Sequence, residues 1–146
     1  MSLESSLEIS SQGLNTQTER LRIYANNIAN IATPYYVRKI PVVAENSQRS
    51  FAELVGGFEH GVMQSGLNAS PGGVVLEGVI GDPTPGKRIY EPGHPQADRD
   101  GFITMSNVNI LTDMADATAA SRLYEANIAV VGIVRTMANR AVEMGR

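Results

Sequence analysis

Residues 24–36 read YANNIANIATPYY, with three asparagines, Asn26, Asn27 and Asn30, inside a long apolar helical pattern that stops at Pro34. Asparagine is a middling helix former because its side chain competes for backbone hydrogen bonds. The residue before a proline is pushed out of the helical region, so this helix is expected to end near Ala32. Two readings of the asparagines are open. Amides at defined heights along a packed helix exclude slipped registers, whereas asparagines near a helix end close it through local caps and turns.

Working back from this stretch, Leu3, Leu7, Leu14, Leu21, Tyr24, Ile28 and Ile31 recur in a four-three alternation, with Ser10 and Gln17 filling the remaining places. That is a heptad stripe with a polar back (Glu4, Glu8, Gln12, Glu19, Arg22), so the helix has one seam to bury. Ser5 with Glu8 makes a capping box at its start, and Ser2 is an alternative cap. The same period returns at Met114, Ala117, Ser121, Tyr124, Ile128, Val131, Val134 or Arg135, Ala138 and Val142. Thr112 is the expected N-cap there, with Asp113 and Asp116 in a first turn where the helix dipole favours carboxylates. This second helix is expected to be about 30 residues, roughly 45 Å, long.

Between the helices, residues 33–107 carry all seven prolines and eleven of the fourteen glycines, which implies turns and short strands. Val74, Leu76, Val79, Ile80, Ile89, Tyr90, Phe102 and Ile103 are the expected small core of this insert. Residues 56–73 read as a mobile loop. The resulting expectation is an α+β chain: residues 1–32 and 108–146 as antiparallel heptad helices forming a coiled-coil layer, and 33–107 as a β-rich insert.

Composition narrows the function. With a formal net charge of −3 and both signs interspersed, the chain has no basic stripe for a phosphate backbone. It has no cysteine, which excludes disulfides, thiol catalysis and thiolate metal sites. The first residues lack a basic n-region and an apolar h-region, so any export is expected to leave the N-terminus uncleaved. The segment DRDG, 98–101, starts like a calcium loop, but the place of the bidentate glutamate falls on Asn109 and the match fails. His94, with Asp98 and Asp100, lacks a nucleophile in a recognisable setting and reads as a turn residue between Gly93 and Pro95. No catalytic residue, cofactor or metal is expected.

Three stretches carry a resemblance. ANNIAN within GLNTQTERLRIYANNIANIATP, the terminal NVNILTDMADATAASRLYEANIAVVGIVRTMANRAVEMGR, and YEPGHPQADRDGFITMSNVNI at 90–110 resemble the bacterial flagellar axial proteins, the rod and hook family. The resemblance covers both ends and the last third of the middle, and the small insert is similar to that of the family's proximal rod subunits. It implies a structural, torque-transmitting subunit of the proximal rod, exported through the flagellar type III apparatus, with no chemistry of its own. Implied partners are copies of itself, the other proximal and distal rod subunits, the rod-to-ring adapter and the inner-membrane ring. The assembly-interface residues expected on this basis are Leu7, Leu14, Leu21, Asn26, Asn27, Ile28, Asn30, Tyr124, Asn127, Ile128 and Val131. The alternative is a soluble coiled-coil adapter or export chaperone that binds a partner helix.

Overall fold

A computed structural model describes residues 3–46 and 72–145. In chain order these form helix α1 (Leu3–Ala29), strands β1 (Lys39–Asn46), β2 (Gly73–Gly81), β3 (Arg88–Tyr90) and β4 (Phe102–Thr104), and helix α2 (Ile110–Met144). The class is α+β, as the sequence implies. Most of the expected loop at 56–73 lies outside the described residues; Gly73 opens β2.

Both helices keep the heptad period, but the buried phase is shifted from the expected one. On α1 the expected Ser10, Gln17 and Tyr24 are buried, yet Gly13 and Asn27 are buried beside them while Leu14 and Ile28 are only half covered and Leu3 and Leu7 are exposed. On α2 the expected Val134 is buried and the expected Ala117, Ser121, Tyr124, Val131 and Ala138 are half-buried, but Ala120 is buried and Asn127 half-buried beside them, whereas Met114, Ile128 and Val142 face outward. The reason is close approach. A Cβ on Gly13 would lie 2.8 Å from Asn127 Nδ2, so α2 lies almost on the bare backbone of α1 at mid-length. Small residues permit that spacing, and a leucine at the contact would force the axes apart. The helices run in opposite directions, since the end of α1 and the start of α2 are tied to consecutive residues, Lys39 and Arg38.

The ends differ from expectation by about a turn. α1 stops at Ala29, three residues early, because Asn30 turns its amide back to the Asn26 carbonyl (2.8 Å) and Thr33 N–H donates to the Asn30 carbonyl (3.0 Å). Ser5 lies inside a helix that has already begun at Leu3. At α2 the cap is Asn109 and not Thr112: its side-chain oxygen accepts from the N–H groups of Leu111 (3.1 Å) and Thr112 (3.4 Å).

The insert holds two separate ribbons. β1 and β2 pair antiparallel from Lys39↔Gly81 to Asn46↔Gly73, with a bulge that leaves Glu77 without an opposite residue. The ribbon lies along α1, where Thr16 Oγ1 donates to the Val74 carbonyl (3.0 Å) and Asn46 Nδ2 to Gln12 Oε1 (3.2 Å). β3 and β4 form a short hairpin. A two-stranded ribbon covers little area, and the expected insert core is correspondingly thin. Ile103 and Val108 are buried, Leu76, Ile89 and Phe102 are half-buried, and Val74, Val79, Ile80 and Tyr90 are exposed.

Candidate assembly interface

The asparagines of the opening stretch separate into two roles. Asn27 is fully buried and acts as a short piece of β-ladder: its Nδ2 donates to the Lys39 carbonyl (2.8 Å) and its Oδ1 accepts from Lys39 N–H (2.9 Å). Such two-point pairing holds the chain where it leaves helix for strand, and it satisfies both polar groups of an amide that is costly to bury unpaired. The Tyr36 hydroxyl also donates to this oxygen (3.0 Å) and reaches Asn26 Oδ1 (3.2 Å). Burial, and secondarily the charge of Asp113, pushes the Tyr36 phenol above its ordinary pKa, so it remains a neutral donor. Asn30 instead bonds Asn26 and accepts from Thr33 Oγ1 (3.2 Å), which closes the helix.

One residue before Lys39, Arg38 ties the insert to α2. Its Nε and Nη2 donate to the fully buried Asp113 carboxylate at 3.0 and 2.8 Å, a forked contact, and Asp82 and Asp116 stand 3.5 Å away. These hydrogen bonds with Asp113 raise the Arg38 pKa further against the opposing effect of burial, and the guanidinium stays charged. Arg38 N–H donates to Asn107 Oδ1 (2.7 Å), while Asn107 Nδ2 donates to the carbonyls of Asp82 (3.1 Å) and Thr84 (2.8 Å). Four segments thus meet in one polar knot. Among the described residues no buried side-chain polar atom lacks a partner.

The expected interface residues do not share one face. Asn27 is buried against Lys39 and Asn127 lies half-buried over Gly13. Tyr124 and Val131 are half-buried, as are Leu14, Leu21, Ile28 and Asn30, while Leu7, Asn26 and Ile128 are exposed. Tyr36, Arg38, Asn107 and Asp113 were not legible as a group. The available signal was the lone Arg38–Lys39 pair within the apolar run YYVRKIPVV, 35–43, since charges set among apolar residues are usually paired when buried. Asp113 read as a dipole carboxylate, and its partner lies 75 residues away.

The DRDG segment is a structural turn. Asp98 Oδ1 accepts from the N–H groups of Asp100 (3.0 Å) and Phe102 (2.8 Å), and Gly101 takes the left-handed conformation at φ 76°. Asp98 Oδ2 accepts from Arg88 at 2.8 Å, and Arg88 stacks on Phe102. The bonds from Phe102 and Asp100 and the Arg88 charge hold the Asp98 carboxyl below its ordinary pKa. His94 Nδ1 accepts from Gln96 N–H (3.1 Å) within a turn. No group of three or more metal-type ligands occurs among the described residues, and no helix there is long and apolar enough to cross a membrane.

Comparison with known proteins follows the two halves of the knot. A family model described as flagella basal body rod protein matches residues 7–36, and one described as flagellar basal body rod FlgEFG protein C-terminal matches 99–144. Over the full length of both chains the protein is 33% identical to the flagellar basal-body rod protein FlgC of Escherichia coli O6:H1 and to that of Salmonella typhimurium. The Borreliella burgdorferi FlgC is 31% identical over 97% of each chain. The chain belongs to the FlgC family of flagellar basal-body rod proteins. In this FlgC-family chain the first matched segment covers α1 from Leu7 onward, with Asn27, and extends to Tyr36, and the second contains Asn107 and Asp113. Arg38 and Lys39, just past the first segment, are the residues that each half grips.

Proposed function

We propose that the chain is a structural subunit of the flagellar proximal rod that works by lateral packing of its terminal helices. The observation that carries this reading is how little aliphatic surface the described helices bury. Ile23, Tyr24, Ala120 and Val134 are buried beside the small or polar Ser10, Gly13, Thr16, Gln17, Asn27 and Asp113, while Leu7, Met114, Ile128 and Val142 point outward. Burial of aliphatic area is the main favourable term in packing, so a pair arranged this way completes its stability against neighbours. In this reading 1–32 and 108–146 form the coiled-coil layer of the rod, and 33–107 adds contacts between subunits. The polar knot keeps the insert in one orientation on the helices, so torque received by one is passed to the other.

The partners proposed are copies of this chain, the remaining proximal and distal rod subunits, and the adapter and ring at the inner membrane. The rod crosses the periplasm, and the subunit reaches it by type III export without cleavage. The family is one of structural proteins, and no catalytic step is assigned. The test is deletion of the gene followed by complementation, with hooks per cell counted and the chain located by cryo-microscopy of isolated basal bodies. Loss of hooks on deletion and density in the proximal rod are expected. Hooks at normal number in the deletion strain, with the chain recovered as a cytosolic complex with a single partner, would instead support the adapter or chaperone reading.

A further inference from the structure

Among the described residues Tyr35 alone, apart from glycine, has a positive φ, 59°. A bulky side chain rarely takes that left-handed conformation, and it persists where surrounding contacts over-determine it. Here the contacts are with the β3–β4 hairpin. Tyr35 N–H donates to the Thr104 carbonyl (2.9 Å), and its hydroxyl donates to the Gln96 carbonyl (3.0 Å). The first acceptor ends β4, whereas the second lies in the outer turn between the two strands. The hairpin has little else to hold it. Among the described residues no other helix or strand packs on β3 or β4. The polar knot reaches Thr84 and Asn107, and residues 85–87 and 105–106 join it to the hairpin. These two connections meet at a neck. A Cβ on Gly86 would overlap the Met105 carbonyl oxygen, and Met105 N–H donates to the Lys87 carbonyl (2.8 Å). Burial of Ile103, one residue from Thr104, anchors the base of the hairpin. Beside it an open cleft of about 490 Å³ is lined by Tyr35, Tyr36 and Val37 from the segment after α1 and by Pro83, Pro85 and Thr104 from the other side. A neck fixes where a hairpin is attached, and a contact away from the neck is needed to fix how far it is turned. The bond from Tyr35 to Gln96 is such a contact.

We infer that Tyr35 is the positioning residue of the β3–β4 hairpin: it sets the orientation in which the hairpin is presented to a neighbouring subunit. Backbone strain is borne at this residue because, from the left-handed conformation, its N–H and its ring both reach the hairpin. A surface ordered in advance loses less entropy when its neighbour docks, so a fixed hairpin favours incorporation even where it adds nothing to the stability of the free chain. Stability and assembly therefore part company at Tyr35. This inference rests on the rod-subunit reading and adds to it the residue that orients one part of the insert.

The native chain has no cysteine, so spin labels attach only where thiols are introduced. With labels at Arg99→Cys in the outer turn and Ala115→Cys on α2, both exposed positions, double electron–electron resonance reads the distance between them in the full-length chain. The native Tyr35 should give one narrow distribution, Tyr35→Phe, which lacks the hydroxyl, a broader one, and Tyr35→Gly the broadest. Thermal unfolding should rank the variants differently. Tyr35→Gly, freed of the strain, should melt no lower than the native chain, and Tyr35→Ala, which keeps the strain and loses the bond to Gln96, should melt lowest. A residue that merely stabilised the fold would move both readouts together. In cells at limiting expression Tyr35→Gly should at least halve the hooks per cell, with Tyr35→Phe between it and the native chain. Equal distance distributions for the native chain and Tyr35→Gly, or a melting order that follows their breadth, overturn the positioning role. A broadened distribution with native hook numbers overturns its use in assembly. Failure of the native chain to restore hooks to a deletion strain, or its absence from basal bodies, overturns the rod reading instead.

Discussion

Replacing Asn27 by alanine isolates the polar knot. The substitution removes an amide with no exposed surface and leaves the Lys39 carbonyl and N–H, bonded at 2.8 and 2.9 Å, without those partners. An unsatisfied group costs about 1–3 kcal/mol when buried, and water reaches part of the Lys39 backbone, so the two together amount to roughly 2–4 kcal/mol. Tyr36 loses less, because its hydroxyl can keep the Asn26 oxygen at 3.2 Å. The helix-propensity gain of alanine offsets about 0.5 kcal/mol. Urea unfolding of the purified chain, followed by circular dichroism, reads the difference: with m of about 1–2 kcal/mol/M the midpoint should fall by roughly 1–3 M. Asn27→Asp should be no better than alanine, since it keeps the acceptor but turns an oxygen toward the Lys39 carbonyl. The exposed Asn26→Ala should cost under about 1 kcal/mol. A midpoint for Asn27→Ala within 0.2 M of wild type, roughly the scatter of extrapolated stabilities, or equal losses for Asn26 and Asn27, would refute the account of Asn27 as the clamp on Lys39.

Three further outcomes follow from the same geometry. Arg38→Met should destabilise by about 3–5 kcal/mol because it strands the fully buried Asp113. Arg38→Lys should recover little of that loss, a lysine having no fork, and Asp113→Asn should cost less than either since Asp82 and Asp116 remain near the guanidinium; thermal unfolding ranks the three. The β3–β4 hairpin should loosen in acid. The folded Asp98 pKa lies below its unfolded value, so its contribution is complete above the unfolded pKa and disappears as pH falls through the folded one, which amide exchange at Phe102 would register. Gly13→Ala should be nearly neutral in unfolding experiments, because the Asn127 amide can swing aside and alanine favours the helix, whereas Gly13→Leu should cost 2 kcal/mol or more, roughly, by prising the helices apart.

The sequence by itself determined the period of both helices, the strand-and-turn character of the middle and the family. A heptad repeat and a run of prolines and glycines act locally, through the 3.6-residue turn and through φ restrictions, and both can be read without knowing any partner. Phase was decided elsewhere. Leu7, Leu14, Leu21 and Ile28 form the obvious apolar line, yet α2 approaches over Gly13, because close contact between two helices selects the residues that let the backbones meet. An apolar line records that something covers it, and the sequence cannot say whether that cover belongs to the same chain or to a neighbour. The asparagines divide on the same principle: Asn30 bonds within one turn and ends the helix as a local reading allows, while Asn27 meets Lys39 only once the chain has passed Pro34 and folded back. Arg38 and Asp113, 75 residues apart, were beyond local reading altogether, since a buried charge is identified by the partner that tertiary structure brings to it.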